Sequence, residues 1–297
     1  MMRILVTGGT GLIGSALLKY WRYQHQITVL TRQPVARLQQ TASLTYVNTL
    51  QQVDFNHLDA VVNLAGEPIA NKRWTDKQKQ RICDSRWQLT EQLSECIQAA
   101  KTPPTCLISG SAVGYYGRQG TEFICEEHSA FYPEFSHDIC ARWENLALRA
   151  GSDKTRVCLL RTGIVLSDQG GALAKMLPAF RFGLGGPIGN GQQYMSWIHI
   201  DDIVKLIDFL LQSPTLQGPF NAVAPKAVTN KQFSQALAER LNRPAKLTMP
   251  AFMVRLLFGE MADILLYGQR VVPQKALDAG FKFQYPKLPA ALADLDL

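Results

Sequence analysis

The chain has 297 residues, of which 46% are hydrophobic and 19% charged, and its formal net charge at pH 7 is +7. This composition excludes a disordered chain and predicts a globular protein with a sizeable core. No run approaches the roughly 18 consecutive apolar residues of a membrane span, and the first residues lack the pattern of an export signal. We therefore expect a cytoplasmic protein with no membrane partner. The six cysteines are dispersed without a CxxC pair, which favours reduced thiols over a metal site.

Short β-branched runs alternate with segments of helical periodicity through the first two thirds of the chain. This alternation predicts an α/β fold, a doubly wound parallel sheet with helices on both faces. Strands are predicted at residues 3–7, 26–31, 59–64, 105–109 and 156–161, and the clearest connecting helices at residues 15–23, 75–99 and 138–150.

The sequence changes character after Arg161. Residues 170–193 contain seven of the 22 glycines, and this density predicts a loop. Residues 197–200 then resemble the end of a strand, and Asp201 or Asp202 is predicted as the N-cap of an amphipathic helix that runs to about Leu211.

Prolines divide the remainder of the chain into short helical stretches, and leucines at helical spacing predict a closing helix at residues 288–295. We therefore predict a smaller, mainly helical C-terminal lobe that binds the substrate. The predicted nucleotide-binding domain comprises residues 1–170 and 196–225, and the predicted substrate lobe comprises residues 171–195 and 226–297.

A glycine-rich turn, TGGTGLIG at residues 7–14, follows the first predicted strand and opens the first predicted helix. Gly8 allows a tight turn, Gly11 lets the backbone approach a ligand, and Gly14 permits close packing of helix on strand. The positive end of the helix and its free N–H groups suit a pyrophosphate. In this context the turn predicts a Rossmann-type dinucleotide-binding domain.

The end of the second predicted strand discriminates between NAD and NADP. An acidic residue about 20 positions after the glycines would bind the ribose 2′-hydroxyl of NAD, whereas an arginine pairs with the 2′-phosphate of NADP. This chain has Thr31 and Arg32 there and no acid. Because a guanidinium makes bidentate bonds to phosphate, Arg32 predicts NADP(H), the alternative being a surface arginine in a loop.

Three runs resemble the extended short-chain dehydrogenase/reductase superfamily, which includes nucleotide-sugar epimerases: TGGTGLIG, NLAG at residues 63–66 and SGSAVGYYG at residues 109–117. Further runs resemble an atypical, epimerase-like family within it, whose members are often labelled sugar-nucleotide epimerases and sometimes cell-division inhibitors. These runs are NLAGEPI, ICDSR, RTGIVL, GLGGPIGNGQQ, SWIHIDDI and QRVVPQKALDAGF. The resemblance covers nearly the whole chain.

The resemblance implies an NADP(H) site built mainly from the glycine turn and the ends of the next strands. Its residues would be Gly8, Thr10, Gly11, Leu12, Ile13, Gly14, Thr31, Arg32, Leu64, Ala65 and Gly66. Arg86 and Gly163 are further cofactor neighbours by the same resemblance. A charge on a helix surface explains Arg86 equally well, and a turn at a strand end explains Gly163 equally well.

Typical members of the superfamily transfer a proton with a tyrosine and a lysine four residues apart on one helix, while a serine steadies the substrate oxygen. Ser111 matches this serine, with Ser109 as a near alternative. None of the fourteen lysines has a tyrosine four residues before it. Aligned on Glu144, Ser136 occupies the tyrosine position and Cys140 the lysine position, and neither supplies the same chemistry.

Two other side chains have a suitable acid–base range, Tyr116 and His199, and we name them with Ser111 as candidate catalytic groups. An aromatic pocket wall and a hydrogen-bonded inner histidine are the structural alternatives, and the histidines show no metal-ligand spacing. The candidate substrate contacts flank the glycines of residues 183–191 and are Arg181, Gln193 and Trp197.

Three functions remain open. We favour an NADP(H)-binding, epimerase-like oxidoreductase that acts on a small carbonyl or sugar-nucleotide substrate, because the substrate-side motifs are retained. The second is a non-catalytic regulatory protein that senses NADP(H). The third, a nucleic-acid binder, rests on the net positive charge alone, and the basic residues 72–86 interleave with acids as in a solvated helix face.

Overall fold

The computed structural model describes residues 1–297 and contains thirteen strands and ten α-helices. The strands are β1 (Arg3–Thr7), β2 (Gln26–Leu30), β3 (Leu44–Val47), β4 (Ala60–Asn63), β5 (Cys106–Ala112), β6 (Phe123–Ile124), β7 (Arg156–Thr162), β8 (Ile164–Leu166), β9 (Tyr194–Met195), β10 (Trp197–His199), β11 (Gly218–Ala222), β12 (Val228–Thr229) and β13 (Arg270–Val271). The helices are α1 (Leu12–Tyr20), α2 (Asp76–Ala99), α3 (Phe135–Leu148), α4 (Gly171–Arg181), α5 (Ile200–Gln212), α6 (Asn230–Arg240), α7 (Ala251–Phe258), α8 (Asp263–Leu266), α9 (Gln274–Asp278) and α10 (Leu288–Asp294). No helix combines the length and the apolar character that crossing a bilayer requires.

Seven strands form one parallel sheet in the order β3–β2–β1–β4–β5–β7–β11, which confirms the predicted doubly wound fold. The chain moves outward in one direction from β1 to β3 and in the other from β4 to β11. A crevice therefore opens between the carboxyl ends of β1 and β4, where sheets of this kind bind ligands. The pattern missed β3 and β11, two edge strands, and β11 contains Pro219, which only an edge tolerates well.

Helices cover both faces of the sheet because strand residues point alternately to either side. On one face, a single buried cluster contains Leu17 of α1, Trp21 at the end of that helix, and Ile203 and Ile207 of α5. On the other face, Leu93 of α2 belongs to the cluster that also includes the end of α3. Each helix therefore buries one apolar side against the sheet, as a periodicity of 3.6 residues requires.

The C-terminal lobe has a second core of its own. This core is built from α4, α6 and α10, with the buried side chains Leu173, Leu177, Phe180, Phe233, Leu237, Leu288 and Leu292. The predicted closing helix at residues 288–295 is confirmed as α10.

The prediction of a loop across residues 170–193 was wrong for its first half, which forms α4. Gly170 and Gly171 have φ angles of 145° and 76° and lie at the start of the helix, not inside it. The other five glycines follow Arg181. The apolar side chains between these two glycine groups are spaced to bury one helical face, and this local pattern outweighs the glycine count of the whole segment.

The predicted N-cap of α5 was also wrong. His199, and neither Asp201 nor Asp202, occupies the cap, and its Nδ1 accepts a hydrogen bond of 3.2 Å from the Asp201 N–H. Asp202 is buried one turn into the helix, where its carboxylate accepts the backbone N–H groups of Gln284 and Tyr285 at 2.7 and 2.9 Å. It therefore attaches α5 to the segment before α10.

We predict that Gly14→Ala destabilises the protein by about 1–3 kcal/mol, since overpacking a close contact forces the backbone to shift. A Cβ at residue 14 would lie 2.2 Å from the Gly8 carbonyl oxygen. Chemical denaturation measures the change in the free energy of unfolding. Gly120→Ala is the control, because a Cβ there meets no atom within 4 Å. Equal stability of the two variants would contradict the packing argument.

Candidate functional site

The glycine turn and the end of β4 form a tight cradle at the crevice. Gly8 has a φ of 70°, and a Cβ on it would lie 2.6 Å from the carbonyl carbon of Leu64 and 2.7 Å from the nitrogen of Ala65. Gly11 is the N-cap of α1 and provides no side-chain hydrogen bond to it. The first-turn N–H groups of α1 therefore face the crevice without a side-chain partner, which suits an anionic ligand.

Arg32 lies just beyond β2 and lines a polar cavity of about 370 Å³. The other lining residues are Glu67, Arg81, Asp84, Ser85 and Gln88, and none is hydrophobic. Arg81 is a residue that the sequence argument missed, because it lay within the stretch interpreted as a solvated helix face. The signal that could have identified it is the spacing of Arg81, Ser85 and Gln88, which places all three on one side of α2.

Arg86 is not a simple surface charge. Its Nη1 donates to the carbonyl oxygens of Glu67 and Ile82, both at 3.0 Å, and its guanidinium lies 5.2 Å from the Trp143 ring centre. A Cβ on Gly66 would approach its Cζ to 3.0 Å. Burial lowers the pKa of Arg86, and a guanidinium stays charged in proteins nonetheless. The fold therefore places a cation beside the end of β4, next to the glycine cradle.

Gly163 lies between β7 and β8, where a Cβ would come within 2.3 Å of the Ser196 carbonyl oxygen. Close packing is therefore a sufficient reason for glycine at this position. A contact with cofactor stays a prediction.

The two positions of the absent dyad are buried by close packing of α3 on the turn after β5. A Cβ on Gly114, in this turn, would lie 3.2 Å from the Ser136 Cβ and 3.7 Å from the Cys140 sulfur. Ser136 donates to Glu134 at 2.7 Å. Burial, assisted by the charge of Glu144, raises the pKa of the Cys140 thiol to about 12, so this thiol stays neutral.

A buried ion pair lies directly behind Ser111. The Ser111 hydroxyl donates to Oε1 of Glu144 at 2.6 Å, and Arg161 donates to both oxygens of the same carboxylate at 2.8 Å. The side chains of Glu144 and Arg161 are each only 5% exposed. Burial alone would lower the pKa of Arg161, but the hydrogen bonds and the charge of Glu144 raise it. The sequence contained a signal for this pair: an arginine within the apolar strand VCLLRT requires a partner.

Tyr116 belongs to the same network and has no exposed surface. Its hydroxyl donates to Asn221 at 2.8 Å and accepts a hydrogen bond of 3.0 Å from Arg161. Burial raises its pKa to about 12. A fully buried side chain does not touch a substrate, so in this conformation Tyr116 joins β7 to β11 and does not reach the cleft.

His199 is likewise buried and lies at the contact between α5 and α10. Its Nε2 is 3.5 Å from a carboxylate oxygen of Asp294, and its ring centre is 4.0 Å from that of Tyr285. The ligand atoms of His199, Asp201 and Asp294 lie within 4.8 Å of one another. Because Nδ1 accepts the Asp201 N–H, the neutral ring carries its proton on Nε2, which opposes metal binding there. Burial lowers the pKa of His199.

The three candidate substrate contacts fall in different environments. Trp197 does not line a pocket, contrary to the prediction. It is fully buried in the second core, and its Nε1 donates to the Lys226 carbonyl oxygen at 3.2 Å. Arg181 is exposed at the end of α4. Gln193 donates to the Leu265 carbonyl oxygen at 2.8 Å, whereas its own Oε1 is buried without a partner.

The basic stretch at residues 72–86 is partly held by contacts within the fold. Arg73 donates to the Leu256 carbonyl oxygen, Lys79 pairs with Glu260 at 2.5 Å, and Arg81 and Arg86 take the positions described above. Lys72 and Lys77 are exposed, and nucleic-acid binding by this stretch stays an untested alternative.

We predict that Arg161→Met costs about 3–5 kcal/mol of stability, because it leaves the Glu144 carboxylate buried without its partner. The matched control is Arg149→Met, which removes an exposed pair with Glu91 and should cost less than about 1 kcal/mol. Urea denaturation of both variants measures the difference. Similar losses of unfolding free energy in the two variants would show that the buried pair contributes no more to stability than the exposed pair.

A profile described as the NAD dependent epimerase/dehydratase family matches residues 4–223, and a domain of unknown function, DUF1731, matches residues 249–295. The mouse epimerase family protein SDR39U1 is 38% identical over 298 residues, which cover 99% of each chain.

Two solved structures extend the comparison. The crystal structure of human epimerase family protein SDR39U1 with NADPH has a TM-score of 0.91 and 36% identity, and the match covers 99% of each chain. A nucleoside-diphosphate sugar epimerase from Corynebacterium glutamicum has a TM-score of 0.77 and 29% identity, over 98% of this chain and 57% of that one.

Proposed function

The chain belongs to the NAD-dependent epimerase/dehydratase family, and on this premise we propose that it is an NADP(H)-binding oxidoreductase of the epimerase type. Its substrate would be a small carbonyl compound or a sugar nucleotide. The observation that carries the proposal is the polar cavity at the end of β2, which two arginines line beside the glycine cradle. The human relative crystallised with NADPH supports the same cofactor.

The residues present fit this cofactor along the whole crevice. Gly8 and Gly14 let the turn pack tightly against the end of β4 and the start of α1, since a Cβ on either would clash with backbone atoms, and the N-terminus of α1 would receive the pyrophosphate. Arg86 would supply positive charge beside Gly66, farther along the cleft. When bound, the nicotinamide ring supplies or accepts a hydride.

Arg32 and Arg81 would hold the 2′-phosphate between them. Both line the same cavity, from the end of β2 and from α2, and a phosphate with two cationic partners is bound more strongly than with one. Asp84 and Glu67 also line this cavity and would disfavour an unshielded anion, so the second arginine offsets their charge. NAD(H) lacks the 2′-phosphate and would gain little from either arginine.

On the substrate side we propose a binding role for Ser111 and a positioning role for Glu144. Ser111 lies at the carboxyl end of β5, and its hydroxyl is oriented by the hydrogen bond to Glu144. It would steady the reacting oxygen of the substrate. We also propose that the lobe of residues 171–195 and 226–297 provides the rest of the pocket through Arg181 and Gln193, whose buried Oε1 has no partner in the protein.

We predict that Arg81→Gln weakens NADPH binding roughly tenfold and leaves NADH binding unchanged, as expected for one lost charge-assisted hydrogen bond. Arg32→Asp should weaken NADPH binding further, because it also adds a negative charge. Isothermal titration calorimetry measures both dissociation constants. Lys101→Gln, which removes a charge beyond the opposite end of α2, is the control. Equal losses for NADPH and NADH would exclude a 2′-phosphate contact.

We predict that Ser111→Ala lowers turnover about a hundredfold while NADPH binding is retained, a typical cost for one catalytic polar group. Turnover is followed by NADPH oxidation against a panel of carbonyl compounds and sugar nucleotides. Ser109→Ala is the matched control, since Ser109 is fully buried two residues earlier on β5. If the unaltered protein bound NADPH tightly and turned over no member of the panel, the regulatory alternative would replace this one.

A further inference from the structure

An unusual concentration of apolar side chains is exposed on the C-terminal lobe. The apolar face, as we name it, consists of Phe182, Leu184, Leu247, Met249, Phe252, Met253, Leu256 and Leu257. Phe182 is 82% exposed, Leu256 73% and Phe252 71%. Single exposed hydrophobic residues are common, but a contiguous group of this size indicates a surface that contacts something other than water.

The segments that carry these residues lie side by side. The N–H of Met249 donates to the carbonyl oxygen of Pro187 at 2.9 Å, and the N–H of Gly189 donates to that of Met249 at 2.9 Å. A Cβ on Gly183 would lie 3.6 Å from the Pro244 ring. α7 then begins only two residues after Met249, so its exposed side continues the same surface.

α7 exposes its apolar side over a wide arc. At 100° per residue, Phe252, Met253, Leu256 and Leu257 span roughly 140° of the helix circumference, and the buried Val254 lies outside this arc. A helix at a water-facing surface normally presents polar residues on its outer side. The outer side of α7 therefore suits contact with an apolar environment better than contact with water.

Basic residues flank this face, and its two segments contain no acidic residue; Glu260 and Asp263, just after α7, pair with Lys79 and Arg255. Residues 181–189 and 241–259 contain four basic residues and no aspartate or glutamate. Arg255 pairs with Asp263, whereas Arg243 and Lys246 are exposed and make no ion pair. An apolar helix face with a basic border is complementary to a bilayer surface that contains anionic lipid.

Two other occupants fit these observations less well. A symmetric dimer through this face would bring its basic border against an identical basic border, because an isologous interface joins the same patch of both subunits. A bound peptide needs a groove, and side chains more than 70% exposed project from the surface and do not line one. Projecting side chains insert readily into the interfacial region of a bilayer.

We propose that the apolar face docks this protein onto the surface of a phospholipid bilayer that contains anionic lipid, with α7 lying in the interface. The leucine and phenylalanine side chains of α7 enter the apolar region, while Arg243 and Lys246 contact the anionic headgroups. The expectation of no membrane partner rested on the absence of a spanning segment, and surface docking requires none. The docking is independent of the proposed NADP(H) chemistry.

Vesicle co-sedimentation tests the proposal with the full chain. We expect the protein to pellet with vesicles of phosphatidylcholine and phosphatidylserine at low ionic strength, less at high ionic strength, and little with phosphatidylcholine alone. The double variant Phe252→Glu with Leu256→Glu should stay in the supernatant. Arg243→Gln with Lys246→Gln should bind at least roughly tenfold more weakly, since each basic residue contributes about fivefold.

The control is Tyr23→Glu, which places the same charge at a side chain that is 78% exposed beyond α1, outside the apolar face. It should pellet like the unaltered protein. Thermal unfolding of every variant shows that the fold is intact. Failure of the unaltered protein to pellet with anionic vesicles would overturn the proposal, as would equal pelleting of the double glutamate variant. So would a dimer in light scattering that the glutamates convert to monomer.

Discussion

The buried ion pair between Glu144 and Arg161 is the interaction on which the geometry of the candidate site depends. It joins α3 to β7, orients the Ser111 hydroxyl of β5, and extends through Tyr116 to Asn221 on β11. Each charge is shielded from water and satisfied mainly by the other, so neither is tolerable alone. The orientation of one serine at the cleft is thus determined by charges in the interior of the domain.

The glycine cradle and the two positions of the absent dyad lie on different elements of the fold. Ser136 and Cys140 are buried where α3 packs closely on the turn after β5. Cys140 lies near Arg86, so a lysine at position 140 would bring a second cation close to that guanidinium. The glycine cradle does not involve α3, and it can therefore hold a dinucleotide irrespective of what replaces the dyad.

The net charge of +7 does not by itself indicate a ligand, because the basic residues lie in separate places on the fold. Arg32 and Arg81 line one polar cavity, and Arg161 is neutralised in the interior. Arg243 and Lys246 border an apolar face on the other lobe. The arginines of the cavity suit a phosphate, and the basic residues beside the apolar face suit an anionic lipid surface.

The sequence by itself determined the features that depend on near neighbours in the chain. The parallel sheet follows from β-branched runs, and the cradle from glycines at fixed spacing. The position of Arg32 follows from its place just after a strand.

The glycine density averaged over residues 170–193 concealed α4, since it mixed the glycines that flank this helix with the apolar residues inside it. Only the tertiary structure decided that Arg161 meets Glu144, that Tyr116 and Trp197 are buried, and that Leu256 is exposed. Burial and pairing depend on which elements the sheet and the second core bring together. The local sequence around a residue does not show which distant residues it will contact.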